Sequence, residues 1–331
     1  MNRLSYILRK MMLAMFPPEK ERQPISKTRY PSTTFALVLV ACLACGSAVA
    51  QQFSAWSAPV NLGPSINTEF SEFHSAISAD GLNLFLASDR PGGFGSNDLW
   101  VAHRRNRNAD WESAQNLGPM FDTPSSEAGP ELSPDGHWVF FYSGGLGGFA
   151  NSSDIYVAFR QDAGDNFGWE RPVNLGKGVN SPRLDADPTI FVDPNTGVVT
   201  LYFARLNTRT DFDIYTSTRG ADGTFAPAVL VPELSSPYRD THPTIRRDGL
   251  EIFLSSNRPG SLGLIDLWVS TRPTTNDKWS TPVNLGGTIN TASQDRAPYL
   301  SDDGLTLLFT SDRSGGFGDN DFYMVTRKIV H

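Results

Sequence analysis

The sequence predicts an all-β protein, namely a five-bladed β-propeller of four-stranded antiparallel blades whose ring is closed by the N-terminal strand. Three observations predict this class: a repeated unit, strand signals of period two inside each unit, and the lack of any convincing amphipathic helix after residue 50. A repeat of roughly 40 to 50 residues that holds several short strands is typical of a propeller or a similar array.

The repeat is visible in two series of residues that keep one interval. Glycines of predicted hairpin turns recur every 52 to 61 residues, and so do aspartates that each open a strand with an aromatic residue. Two landmarks with one period indicate five copies of a single unit. The two series are Gly81, Gly136, Gly197, Gly249, Gly304 and Asp98, Asp154, Asp213, Asp266, Asp321.

The first unit shows the order of the elements. A strand over 56–62 leads through a long crossing to a strand over 74–78. A tight hairpin at Gly81 follows, because glycine tolerates the positive φ that such a turn requires. Strands over 82–88 and 98–103 complete the unit, with a glycine-rich loop between them.

The first and last strands predict how the ring closes. The chain opens its repeats with a tryptophan strand and ends on an Asp-Phe-Tyr strand, so the last sheet lacks its outer member. The strand over 56–62 supplies that member. Such a closure leaves no open sheet edge between the chain ends, and it places residues 51–331 in one propeller domain.

Charge narrows the range of partners. The 331 residues carry a formal charge of −7, but the first 50 hold seven of the 28 basic residues and only two of the 35 acidic ones, which leaves −12 for the rest. A surface of that sign repels phosphate backbones and anionic lipid. We therefore expect no nucleic-acid partner, and an envelope protein or a polysaccharide as the partner of a monomer.

The first 50 residues predict export. A long basic region precedes an apolar run over 35–45, and Ala48-Val49-Ala50 offers small residues for cleavage, as in a secretory signal peptide too short to span a membrane. The protein is then periplasmic or secreted. A second interpretation stays open, because Leu39-Val40-Ala41-Cys42 resembles the lipobox of bacterial lipoproteins, in which Cys42 would carry a lipid anchor.

Two repeated motifs carry a resemblance to a known family. Ser133-Pro-Asp-Gly136 with the strand after it, and the loop 88–95 followed by Asp98-Leu-Trp-Val101, resemble the WD40-like repeats called PD40. Such repeats occur in TolB-type periplasmic proteins, although the TolB α/β domain has no counterpart here. The resemblance implies an exported, non-catalytic propeller that acts as a binding or scaffold module for protein or glycan partners.

An acid stands before the innermost strand of each unit, where the predicted fold gathers these acids around the central channel. Five carboxylates on one axis repel each other unless cations intervene. Arginines at matching positions of the first, fourth and fifth loops are the obvious partners, whereas the second and third units show none. The acids are Glu72, Glu127, Asp185, Asp240 and Asp295, and the arginines are Arg90, Arg258 and Arg313.

The acids admit three interpretations. A ring of ion pairs would fix one unit against the next. Alternatively, Glu127, Asp185 and Asp187, with His74 and His242, would bind a cationic ligand or a divalent ion at the channel mouth, either calcium through oxygen ligands or a transition metal through the histidines. Otherwise we expect no cofactor.

The third interpretation is catalytic. Paired carboxylates at the channel mouth would serve a glycan-directed hydrolase or lyase, and this is the alternative to the binding module. A carboxylate held by arginine would be a poor general acid, because the arginine depresses its pKa. The pairing of the acids therefore distinguishes the interpretations.

Overall fold

The computed structural model describes residues 52–149, 152–207 and 211–330, which contain 22 β-strands and no helix. The predicted signal peptide and the lipobox cysteine Cys42 lie outside these residues. No described helix has the length and apolar character needed to cross a membrane.

Five antiparallel sheets of four strands each form five blades, as predicted. Each blade runs outward from an innermost strand to a two-residue outer strand. Blade 1 holds Glu72–Ile77, Asn83–Ser88, Asp98–His103 and Gln115–Asn116; blade 2 holds Glu127–Leu132, Trp138–Ser143, Asp154–Phe159 and Val173–Asn174; blade 3 holds Asp185–Val192, Val199–Leu206, Phe212–Thr218 and Val229–Leu230; blade 4 holds Asp240–Ile245, Glu251–Ser256, Asp266–Thr271 and Val283–Asn284; blade 5 holds Asp295–Leu300, Thr306–Ser311, Asp321–Thr326 and Val60–Asn61.

The core lies between the blades. Inner strands are covered on both faces by neighbouring blades, so Asn83–Ser88 and Glu251–Ser256 are buried along their whole length. The second strand of each blade contributes a phenylalanine with no exposed surface, and each stabilises the fold by about 1.5–3 kcal/mol. These are Phe85, Phe141, Phe203, Phe253 and Phe309.

The N-terminal strand closes the ring, as predicted, although its ladder is shorter than residues 56–62. Val60 pairs with Met324 and Asn61 pairs with Tyr323. The Asn61 side chain donates to Asp321 Oδ2 over 2.9 Å. A second clasp joins the chain ends, where Gln52–Phe53 pairs with Ile329–Val330.

The hairpin turns and the positive-φ positions follow the repeat. Gly81 and Gly249 have φ of 77° and 73°, in the left-handed region that favours glycine. Every innermost strand also has a register shift a few residues after its acid. The two ends of the innermost strands thus differ. Each strand begins with its acid at the crossing end of the channel and ends in a hairpin turn at the other end, the hairpin end.

Ring closure gives the first testable prediction. A chain that begins at Gly63 lacks Val60–Asn61 and exposes the edge of Asp321–Thr326, so we expect it to lose cooperative unfolding in a thermal melt followed by near-UV circular dichroism. A chain that begins at Ser54 loses only the second clasp and should still melt cooperatively. A cooperative transition in the shorter chain would contradict the role given to this strand.

Candidate functional site

The five inner-strand acids lie in the structure with no exposed surface. In blade 1, Glu72 accepts hydrogen bonds from the Thr68 backbone N–H and hydroxyl, both over 2.7 Å, and from Ser88 Oγ over 3.2 Å. The carboxylate therefore ties the crossing between blades to the sheet. The acids of the other blades make the same kind of contact with their own crossings.

Arginines hold four of these acids. Arg90 Nη2 lies 2.9 Å from Glu72 and also donates to the Ile66 carbonyl over 2.8 Å. Arg258 pairs with Asp240, and Arg313 pairs with Asp295. These three pairs are the ones predicted from the sequence.

The expectation that blade 3 lacks an arginine is wrong. Arg205 Nε lies 2.6 Å from Asp185 Oδ1. The arginine stands on the second strand directly opposite the acid, where blades 1 and 4 have Ser88 and Ser256, and not in the loop beyond. In blade 3 the strand, and not the loop, therefore supplies the arginine.

The arginines do not depress the pKa of every acid, contrary to expectation. Burial is the largest influence on Glu72 and Asp185, and it raises the pKa of both carboxyls against the opposing effect of Arg90 and Arg205. Because these side chains are fully buried and hydrogen-bonded, a substrate does not reach them. The acid ring is structural.

Blade 2 is the exception. Glu127 is held by Ser143 and Thr123, and no arginine of the described residues pairs with it. Gly144-Gly145 stands in the loop where blade 1 has Arg90. Burial raises its pKa. Asp98 and Asp122 lie beside it, and ligand oxygens of the three acids lie within 4.8 Å of one another. Burial raises the pKa of Asp122 to about 8.

A second cluster lies at the channel waist, formed by the residue two positions after each acid. This position has positive φ in all five blades, which is unfavourable for residues other than glycine and is found at functional sites. The side chains therefore turn toward the axis instead of following the strand alternation. The residues are His74, Gly129, Asp187, His242 and Ala297.

Asp187 joins two histidines at the waist. His74 Nε2 lies 3.0 Å from Asp187 Oδ1, and His242 Nε2 lies 3.5 Å from Oδ2. All three side chains are more than nine-tenths buried. Burial alone would raise the pKa of Asp187, but His242, His74 and Arg239 lower it below its usual range. Burial also lowers the pKa of His242 to about 3, against the opposing effect of Asp187.

This waist cluster can hold a metal ion. One ligand atom from each residue lies within 4.8 Å of the others, beside a cavity of about 30 Å³. Two imidazoles and one carboxylate suit a transition metal better than calcium. Of the ligands predicted from the sequence, His74, Asp187 and His242 come together, whereas Glu127 and Asp185 are held in their own blades.

A cavity at the hairpin end of the channel was not predicted. It measures about 180 Å³ and opens beside a larger one of about 520 Å³. The two cavities adjoin, because both are lined by Tyr299, Arg247 and Asp302. Glu131 lines the smaller cavity and the waist below it.

Two carboxyl groups share this hairpin-end cavity. Glu131 Oε1 accepts a hydrogen bond from Thr189 Oγ1 over 2.9 Å. Burial, with a smaller contribution from the charge of Asp302, raises the pKa of Glu131 to about 8. Burial also raises the pKa of Asp302, whose Oδ2 lies 3.5 Å from Arg247 Nη1. A retained proton on Glu131 provides a general acid at neutral pH.

Glu131 and Asp302 were not predicted, because the candidate acids were the ones that recur in every repeat and these two do not recur. The innermost strands of the other blades carry Ala76, Thr189, Thr244 and Tyr299 at the place of Glu131. The sequence did contain a sign of Glu131, since it is a charged residue at a position where the other four repeats have an uncharged one.

Comparison with known proteins finds similar folds among solved structures of glycoside hydrolases. No family profile matches the sequence, and no curated protein matches it. Among solved structures, the chain is similar to an α-L-arabinofuranosidase from Lactobacillus brevis, with 13% identity and a TM-score of 0.54 over 80% of this chain and 92% of that one. It is also similar to an endo-arabinase from Bacteroides thetaiotaomicron, with 14% identity and a TM-score of 0.55 over 84% and 99% of the two chains.

A third structure is a GH43_1 enzyme from Xanthomonas citri complexed with xylotriose, with 14% identity and a TM-score of 0.53 over 81% of this chain and 90% of that one. At such identities the similarity concerns the fold. It contradicts the resemblance to PD40 propellers of TolB type, since these neighbours are glycoside hydrolases. The motif Ser133-Pro-Asp-Gly136 specifies a hairpin turn, which four-stranded blades of many families need.

The prediction of a non-catalytic binding or scaffold module rested on that resemblance and is wrong with it. The similar structures are themselves glycan-directed enzymes by their names. The two carboxyl groups that share a cavity, Glu131 and Asp302, lie at the hairpin end of the channel, whereas the acids singled out in the sequence lie at the crossing end.

The structural role of the acids gives a second prediction. Arg258→Met leaves the buried Asp240 without its counter-charge, so we expect the free energy of unfolding to fall by about 3–5 kcal/mol in urea denaturation. Arg247→Met is the matched control, because the exposed Arg247 pair with Asp302 is worth about 1 kcal/mol or less. Equal losses in the two variants would contradict the structural role.

Proposed function

We propose that the protein hydrolyses glycosidic bonds of a polysaccharide in the hairpin-end cavity. The observation that carries the proposal is the pairing of Glu131, whose pKa is about 8, with Asp302 in one cavity of a five-bladed propeller. Glycoside hydrolysis uses two carboxyl groups, of which one keeps its proton. The similarity to glycoside hydrolase propellers supports the same reaction class.

The two groups take different roles in this proposal. Glu131 gives its proton to the leaving oxygen as the glycosidic C–O bond breaks. Asp302 is the second carboxylate, and it takes a proton from the water that forms the new C–O bond or attacks the sugar itself. Tyr299 supports the cavity wall, since its hydroxyl donates to the Ile77 carbonyl over 2.7 Å.

The substrate is proposed to be a neutral polysaccharide that contains pentose units. Two similar proteins act on arabinose linkages by their names, and a third was solved with xylotriose. The larger cavity offers Trp111, whose ring lies 4.2 Å from the Arg104 guanidinium, as an apolar wall for a sugar ring. The charge of −12 after residue 50 disfavours anionic polymers.

Export fits this substrate. The basic segment and apolar run of residues 1–50 predict a periplasmic or secreted protein, and polysaccharides are met in those compartments. Signal-peptide cleavage and lipid attachment at Cys42 remain the two alternatives for that segment.

The third prediction tests the acid. Glu131→Gln keeps the shape of the side chain but removes its transferable proton, so kcat on arabinan or xylan should fall by about 10²–10⁴-fold in a reducing-sugar assay. Asp135→Asn lies in the hairpin turn that follows the same strand and is the control, with activity unchanged. Wild-type activity in the Glu131 variant, or no activity of the wild type on any neutral glycan, would refute the proposal.

The fourth prediction concerns pH. Since Glu131 must be protonated to act and its pKa is about 8, the rate should be retained at neutral pH and should fall tenfold per pH unit well above pH 8. The pH profile of kcat/KM of the wild type measures this limb. An alkaline limb near pH 5, typical of an ordinary carboxyl, would exclude Glu131 as the acid.

A further inference from the structure

Blade 2 departs from the other blades at two neighbouring positions. Gly145 takes the place of Arg90, since each donates its backbone N–H to the serine opposite the acid. Asp122 takes the place of Asn67, which lies five residues before the acid. One change removes a positive charge and the other adds a negative one, so both make the interface between blades 1 and 2 more negative.

The asparagines show what this position normally does. Asn67 accepts from the Phe322 N–H over 2.8 Å and donates to the Phe322 carbonyl over 3.0 Å. Asn180 and Asn290 make the same pair of bonds with Ile155 and Leu267. An asparagine thus satisfies both backbone groups of the neighbouring strand.

Asp122 keeps only half of this arrangement. Its Oδ1 accepts from the Leu99 N–H over 2.9 Å, as in the asparagines. Its Oδ2, at the place of the donor nitrogen, is buried without a well-formed hydrogen bond to any described residue, and the side chain is 3% exposed. The nearby Asn116 side chain lowers the pKa of Asp122 only slightly against the larger effect of burial, and its Nδ2 also lacks a well-formed hydrogen bond there. A buried carboxylate oxygen without a well-formed hydrogen bond therefore lies within a group of acids.

The interface holds three buried carboxyl groups with no counter-charge among the described residues. Asp98, Asp122 and Glu127 each have at most 3% exposure, and none of them makes an ion pair within the described ranges. Their ligand oxygens lie within 4.8 Å of one another. Bringing three such groups together in ionised form in a dry interface is unfavourable unless a cation joins them or a proton neutralises one of them.

We propose that Asp98, Asp122 and Glu127 bind a calcium ion at the interface of blades 1 and 2, where it replaces the arginine of the other blades. Carboxylate oxygens suit this hard cation. Arg90 also bonds the Ile66 carbonyl; by the repeat the equivalent carbonyl belongs to Phe121, and it is a further oxygen ligand. The ion stabilises the ring and is independent of the proposed hydrolysis.

The experiment follows the thermal unfolding of the whole exported chain after chelator treatment, with and without added calcium chloride, and with magnesium chloride for comparison. Calcium at about one hundred times its Kd should raise the Tm of the wild type by roughly 5 °C. Asp122→Asn restores the bonds seen at Asn180, so this variant should fold and should lose the calcium response.

A control separates this site from the channel waist. Asp187→Asn removes the only carboxylate of the waist cluster and should keep the full calcium response. A wild type that ignores calcium, with Asp122 simply protonated, would overturn the proposal. A calcium response that survives in Asp122→Asn, or that disappears only in Asp187→Asn, would also overturn it.

Discussion

The fold depends on a buried carboxylate at the start of every innermost strand. Burying such a group is unfavourable unless hydrogen bonds and a counter-charge surround it. The hydrogen bonds come from the crossing before the strand and from the residue opposite the acid, which is a serine or, in blade 3, Arg205. In four blades an arginine supplies the counter-charge. One interaction therefore sets the crossing, the strand and the following loop of each blade.

The channel is consequently unequal at its two ends. Buried ion pairs lie at the crossing end, where a cavity of about 340 Å³ is lined by Arg239 and Asn257. The cavities next to Glu131 and Asp302 lie at the hairpin end. Between them, the positive-φ residues narrow the waist and bring His74 and His242 to Asp187. The candidate functional residues lie where the five repeats differ in sequence. A residue type that all repeats share stabilises every blade, whereas a residue type found in one repeat can form a single site.

The sequence predicted the repeated features well and the departures poorly. Blade number, strand order, ring closure and three of the arginine pairs follow from periodic residues whose roles are local. Arg205 was not predicted because it lies on a strand, whereas the arginines of blades 1, 4 and 5 lie in the loop after that strand. Glu131 and Asp302 were missed because their closeness depends on the packing of blades that lie far apart in the chain. The family resemblance failed because hairpin motifs report blade geometry, which unrelated propellers share.

Calcium and sugar would occupy different parts of this molecule. The position at which a sugar binds tests whether the hairpin end of the channel is the active site. The most direct measurement is a crystal structure of the protein soaked with a neutral pentose oligosaccharide such as xylotriose. We expect the sugar in the cavity lined by Glu131 and Asp302, with the Arg258 pair to Asp240 undisturbed. A sugar bound at the crossing end, with that arginine displaced from its acid, would contradict the account.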